Sequence, residues 1–175
     1  MFVHGGGMTS GNKRPPGSPF YDNVMLWAVK NGMVGVNVEY RLAPQHVWPS
    51  GKEDLAAAVR YVHQNAAGLG VDASRVFLMG HSAGAQLAAL VAVDEQYLKA
   101  EGLSLNILKG CVPVDGDTYD VPLQVATSRA RRKSLKEPAP KMGHPEKFGN
   151  LERQRAYSAV NHVAANRGIP PFLLL

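Results

Sequence analysis

The stretch Met79-Gly80-His81-Ser82-Ala83-Gly84 decides how the chain folds. The apolar run Val76-Phe77-Leu78-Met79 leads into it and reads as a strand. The small-residue run Ala83-Gly84-Ala85-Gln86-Leu87-Ala88-Ala89-Leu90 follows and reads as a helix. Gly-x-Ser-x-Gly between a strand and a helix is the setting of a nucleophile elbow, a sharp turn with glycines where Cβ atoms would crowd. Such a turn puts Ser82 at the carboxyl end of the strand, beside a helix N-terminus. An ordinary strand-to-helix turn with Ser82 as N-cap is the bland alternative. The flanking strand and helix favour the nucleophile.

Outward from the elbow, strand and helix patterns alternate. Met1 to His4 reads as the tail of a strand, stopped by Gly5-Gly6-Gly7. Ser18-Pro19 reads as a helix start, with Phe20, Val24 and Trp27 on one apolar face. Asn31-Gly32 ends that helix, and Met33–Val38 reads as a buried strand. Ser50-Gly51-Lys52-Glu53 has the form of a capping box before a helix carrying Leu55, Ala58, Val59 and Val62. Leu105–Val114 reads as a strand whose ladder stops near Pro113. One or two helices follow, broken by Pro138, Pro140, Gly143 and Pro145, and Phe172–Leu175 starts another strand. The alternation predicts an α/β fold, a mostly parallel sheet with helices on both faces, in a single domain over residues 1–175.

Apolar content of 45% and charged content of 19% fit a globular chain. No apolar run approaches the roughly 18 residues that span a bilayer, so no membrane partner is expected. The single Cys111, in an apolar stretch, allows no intrachain disulfide and fits the cytoplasm. Much of the +5 net charge sits in Arg129, Arg131, Arg132, Lys133 and Lys136. Without interleaved aromatics this cluster reads as a solvated helix face, and no nucleic acid is expected as a partner. No spacing among the histidines suggests a metal site.

In open parallel sheets, chemistry collects outside the carboxyl ends of the strands. His4-Gly5-Gly6-Gly7, Ser82 and Asp115-Gly116-Asp117 fall there. Acyl transfer places negative charge on the former carbonyl oxygen, and side-chain-free backbone N–H groups can hold it. Gly5 and Gly6 offer such groups, and Ala83 offers another at the helix start. A phosphate loop would need a Gly-Lys-Ser/Thr that does not follow.

His4-Gly5-Gly6-Gly7, Tyr40-Arg41-Leu42-Ala43-Pro44, Pro49 with Glu53-Asp54, and Gly80-His81-Ser82-Ala83-Gly84 occur in this order. The set resembles the α/β-hydrolase superfamily, specifically the carboxylesterases related to hormone-sensitive lipase. The resemblance implies Ser82 as nucleophile and Gly5, Gly6 and Ala83 as the oxyanion hole. It implies a small ester as substrate and no cofactor. It gives His4 and His81 a shaping role and Arg41 an ion pair with Asp54. It also implies strands ahead of the one ending at His4, and an acid and a histidine past Leu175.

Within the chain, Asp115 or Asp117 followed by His144 or His162 offers the order Ser, Asp, His. Turn and cap roles are the alternative for Asp115, Asp117 and Asp120. A serine lacking a base is a poor nucleophile, so a non-catalytic protein that binds a small ligand or partner stands beside the esterase reading. Met33–Val38 and Phe172–Leu175 are expected at the sheet edges, where apolar strands invite pairing with a second copy.

Overall fold

The computed structural model describes residues 1–138 and 144–175, without the side chains of His144 and Pro145. Pro140 and Gly143, expected to break helices, lie outside the described residues. Strands β1 (Phe2–Val3), β2 (Asn37–Val38), β3 (Val76–His81) and β4 (Leu108–Val114) form one parallel sheet in the order β2-β1-β3-β4. Helix α1 (Asp22–Lys30) links β1 to β2. Helices α2 (Ser50–Gln64) and α3 (Ala66–Leu69) lead to β3. Helices α4 (Ala83–Val93) and α5 (Glu95–Ala100) lead to β4, and α6 (Val121–Leu135), α7 (His144–Phe148) and α8 (Leu151–Ala156) follow.

Helix α4 is apolar around its circumference because it is central: every residue from Gly84 to Val93 is buried. It lies on the sheet with α2 beside it, and Val3, Leu55, Leu78, Leu87 and Leu90 share that core. Phe2 points the opposite way from Val3 along β1 and meets Tyr21, at the start of α1, with ring centroids 5.1 Å apart. Helices therefore flank both faces.

The edges match expectation in part. Residues Pro171–Leu175 run alongside β4: Leu173 N–H donates to Cys111 O at 3.0 Å and Leu175 N–H to Pro113 O at 3.1 Å. Pro113 sits inside the ladder opposite Gly80, so β4 continues past it to Val114. Its start is shorter than expected, since Leu105–Ile107 form a 3-10 turn. At the other edge only Asn37 and Val38 pair, opposite Phe2 and Val3. Val36 O accepts the Phe2 N–H at 2.7 Å, and Met33 to Gly35 have no strand-pairing partner among the described residues.

Three helix expectations are corrected. The helix after Ser18-Pro19 begins at Asp22, and Ser18 Oγ accepts the Phe20 N–H within the preceding turn. Two residues of its expected apolar face are exposed, Phe20 at 57% and Trp27 at 60%, and Val24 is half-buried, while Tyr21 and Ala28 are buried. Ser50 is the first helical residue and not an N-cap; its hydroxyl donates back to Val47 O at 2.9 Å, and Glu53 turns to Arg41. Cys111 is fully buried, and burial pushes its thiol up to about 12. The basic cluster lies at the exposed end of α6, where cations complement the helix dipole.

Candidate active site

Ser82 joins β3 to α4 with φ 53° and ψ −117°, a conformation an L-residue adopts only when its surroundings enforce it. The enforcement is steric closeness. A Cβ on Gly80 would collide with Gly84 O, and a Cβ on Gly84 would collide with Val3 O. Glycine at both flanks lets β3, α4 and β1 meet at one point. The Ser82 N–H donates to Val114 O at 2.9 Å, tying the elbow to β4.

The glycine run lies directly against the serine. A Cβ on Gly5 would stand 3.2 Å from Ser82 Cβ and 3.1 Å from His81 O. His4 anchors this loop from below: it is buried, stacks on Tyr40 at 4.3 Å, and places Nδ1 2.7 Å from Gly5 O. Tyr40 Oη donates to His4 O at 3.0 Å, and His4 Nε2 stands 3.4 Å from Glu39. Arg41 grips Asp54 through its backbone N–H (2.8 Å) and through Nε (2.9 Å), as expected, fixing the connection into α2.

One expected oxyanion donor is already used. The Gly5 N–H donates to Tyr21 Oη at 2.9 Å, and the same oxygen lies 3.3 Å from His81 Nδ1. Among the described residues the N–H groups of Gly6 and Gly7 have no acceptor. Ala83, first residue of α4, likewise has a free N–H, as helix N-termini do. Tyr21 was missed in the sequence because its role rests on a contact between separate elements.

None of the in-chain acid and base candidates with a described side chain hydrogen-bonds Ser82. His162 sits by Asp94, with Nδ1 3.5 Å from Oδ2 and Nε2 2.8 Å from Ala156 O. Asp94 follows the last residue of α4, at the opposite end from Ser82. Asp115 is exposed, 3.9 Å from His81 Nε2. Asp117 accepts from Thr118 Oγ1 and Gln124 Nε2, and Asp120 caps α6 by accepting the Leu123 N–H, which are turn and cap roles. The side chain of His144 lies outside the described residues. Among the described residues no group hydrogen-bonds Ser82 Oγ, and no cluster of three or more His, Cys, Asp or Glu could hold a metal. No helix among them is long and apolar enough to cross a membrane.

The sheet order, the elbow at Ser82 and the glycine loop beside it define an α/β-hydrolase fold. The BD-FAE family model matches residues 1–175, and the chain belongs to that family. The structure is similar to a hyperthermophilic esterase from the archaeon Pyrobaculum calidifontis, with TM-score 0.74 and 26% identity over 99% of this chain and 55% of that one. The sequence is 42% identical over 93 residues to carboxylesterase NlhH of Mycobacterium tuberculosis, 53% of this chain and 28% of that protein. It is 32% identical over 131 residues to tuliposide A-converting enzyme 2 of Tulipa gesneriana, 69% of this chain and 34% of that protein. The chain therefore spans about half the length of that esterase structure, and about a third or less of these two relatives. The resemblance to carboxylesterases related to hormone-sensitive lipase holds.

Proposed function

We propose that this chain carries the nucleophile and oxyanion site of a serine carboxylic ester hydrolase acting on small esters. The observation that carries the reading is Ser82 held at φ 53° with the glycine loop against its Cβ. Ser82 Oγ attacks the ester carbonyl carbon. The carbonyl oxygen takes the negative charge, and this reading assigns its stabilisation to the N–H groups of Gly6, Gly7 and Ala83, which have no acceptor among the described residues. The bond to the alcohol oxygen then breaks, the alcohol leaves with the proton that Ser82 gave up, and water adds to the acyl-enzyme to release the acid and restore the Ser82 hydroxyl. Preorganised donors of this kind each contribute about 100- to 1000-fold in rate. The reading includes a cytoplasmic setting, supported by a single buried cysteine, and pairing with a second copy, supported by the exposed Leu173–Leu175 edge. Nucleic acid has no part in it.

A second reading, ligand binding without turnover, is favoured by one observation: no described group hydrogen-bonds Ser82 Oγ to take its proton. Hydrolysis of 4-nitrophenyl butyrate separates the two. The esterase reading expects turnover that vanishes in Ser82→Ala. Equal rates in both proteins contradict it.

A further inference from the structure

We propose that Lys147 reads an anionic group on the ester, so that the site prefers esters carrying a carboxylate over their uncharged counterparts. The inference deepens the ester-hydrolase reading of Ser82 and rests on it.

Helix α7 is docked by Phe148, whose ring is buried with its centroid 5.2 Å from that of Trp48. That anchor directs the preceding residue onto the glycine loop. A Cβ on Gly7 would stand 3.4 Å from Lys147 Nζ and 3.8 Å from Thr9 Oγ1. Gly7 is two residues along from Gly5, which touches Ser82. The ammonium thus borders the loop proposed to hold the substrate's oxyanion.

Lys147 is half-buried, yet among the described residues it makes no hydrogen bond and no ion pair within 4 Å. Burial pulls its pKa down and neighbouring Glu146 pulls it up. Lys147 also lines a cavity with Met8, Tyr40, Arg41, Ser50 and Leu87. The other polar groups named there are committed: Arg41 to Asp54, Tyr40 Oη to His4 O, and Ser50 Oγ to Val47 O. Among the described residues the Lys147 ammonium is left without an ion pair in this lining, which also holds the His46 ring. With the free N–H groups of Gly6 and Gly7 close by, it forms a set of donors lacking an acceptor. A carboxylate satisfies such a set with charge-assisted hydrogen bonds, which are shorter and stronger than neutral ones. An alkyl chain in the same place would leave a partly desolvated cation unpaired.

The test uses two amides that resist turnover, N-methylsuccinamate and N-methylbutyramide, which differ by a carboxylate in place of a methyl group. Each is titrated into protein labelled with 15N-glycine, following the Gly6 and Gly7 amide signals. The charged amide is expected to bind at least about 10-fold more tightly. Lys147→Met should erase that margin with an unchanged thermal melt, and Lys147→Arg should keep it. Equal binding of the two amides, no binding of the charged one, or a margin that survives in Lys147→Met overturns the proposal. Fluorophosphonate labelling of Ser82 on the same samples separates the readings. Labelling without a margin defeats only the role of Lys147, and a margin without labelling defeats the hydrolase reading.

Discussion

His162 and Asp94 face each other across 3.5 Å, at the end of helix α4 opposite to Ser82. The 11 residues of α4 put this pair about 17 Å from the serine at a rise of roughly 1.5 Å per residue. A general base must come within hydrogen-bond reach of the proton it takes. His162 is therefore a structural residue that ties the segment after α8 to the end of α4. His162→Ala should leave the rate of Ser82 labelling within about two-fold and cost about 1 kcal/mol of stability, read from urea unfolding.

Lys52 lies fully buried at the same end of the core. Its Nζ donates to Tyr97 Oη at 2.7 Å and sits 3.4 Å from the Tyr157 ring centroid and 3.9 Å from that of Trp48. The ring faces favour the cation, as do Asp94 and Glu53, while burial dominates and lowers the pKa to about 6, with Arg153 pushing the same way. The unfolded chain keeps this proton up to roughly pH 10.4. Between about pH 6 and that limit the unfolded state binds more protons, so stability rises with pH. The slope from this group reaches at most about 1.4 kcal/mol per pH unit. Urea unfolding at pH 6 and pH 9 should show the rise, and Lys52→Met should flatten it.

Gly84 and Gly68 make opposite predictions from the same substitution. A Cβ on Gly84 runs into the Val3 and His4 carbonyls, whereas one on Gly68 meets nothing within 4 Å. Gly84→Ala should destabilise by about 3 kcal/mol or more, because two backbones must separate. Gly68→Ala, within α3, should stabilise by about 0.5–1 kcal/mol. Thermal melts of the two variants check both signs.

The Leu173–Leu175 edge exposes 57–66% of each leucine. The N–H groups of Leu173 and Leu175 point to β4, so that of Leu174 points outward. Among the described residues nothing pairs with the outer side of this edge, and an unpaired apolar edge recruits another strand. Sedimentation of the wild-type chain should therefore show dimers or larger species. Leu174→Pro removes the outward donor and leaves the inward ones, so it should shift the population towards monomer.

Much of the fold was legible because its signals are local. Val76–His81 and Ala83–Val93 carry their periods in their own residues, and the glycines at 80 and 84 mark the turn between them. What failed to show depends on distant partners. Phe20, Val24 and Trp27 obey helical spacing, but Tyr21 orients the helix through Phe2 and the Gly5 amide, turning Phe20 and Trp27 to solvent. Met33–Val36 is apolar, yet among the described residues only Val36 meets the sheet, through the Phe2 N–H. The environment of Lys52 is assembled from Trp48, Tyr97 and Tyr157, so no short stretch encodes it. The candidate site divides the same way. Ser82, Gly6 and Ala83 were visible in motifs, while the capture of the Gly5 N–H by Tyr21 and the approach of Lys147 to Gly7 exist only in three dimensions.

The central claim is that the backbone around Ser82 makes it a nucleophile. The most direct measurement is incubation with a fluorophosphonate probe, followed by mass spectrometry of the digested protein. The account predicts a phosphonyl adduct on the peptide containing Ser82, absent from Ser82→Ala and blocked by a competing short-chain ester. A folded wild-type chain that takes no label at Ser82, or an Ser82→Ala variant that labels equally well elsewhere, would contradict it.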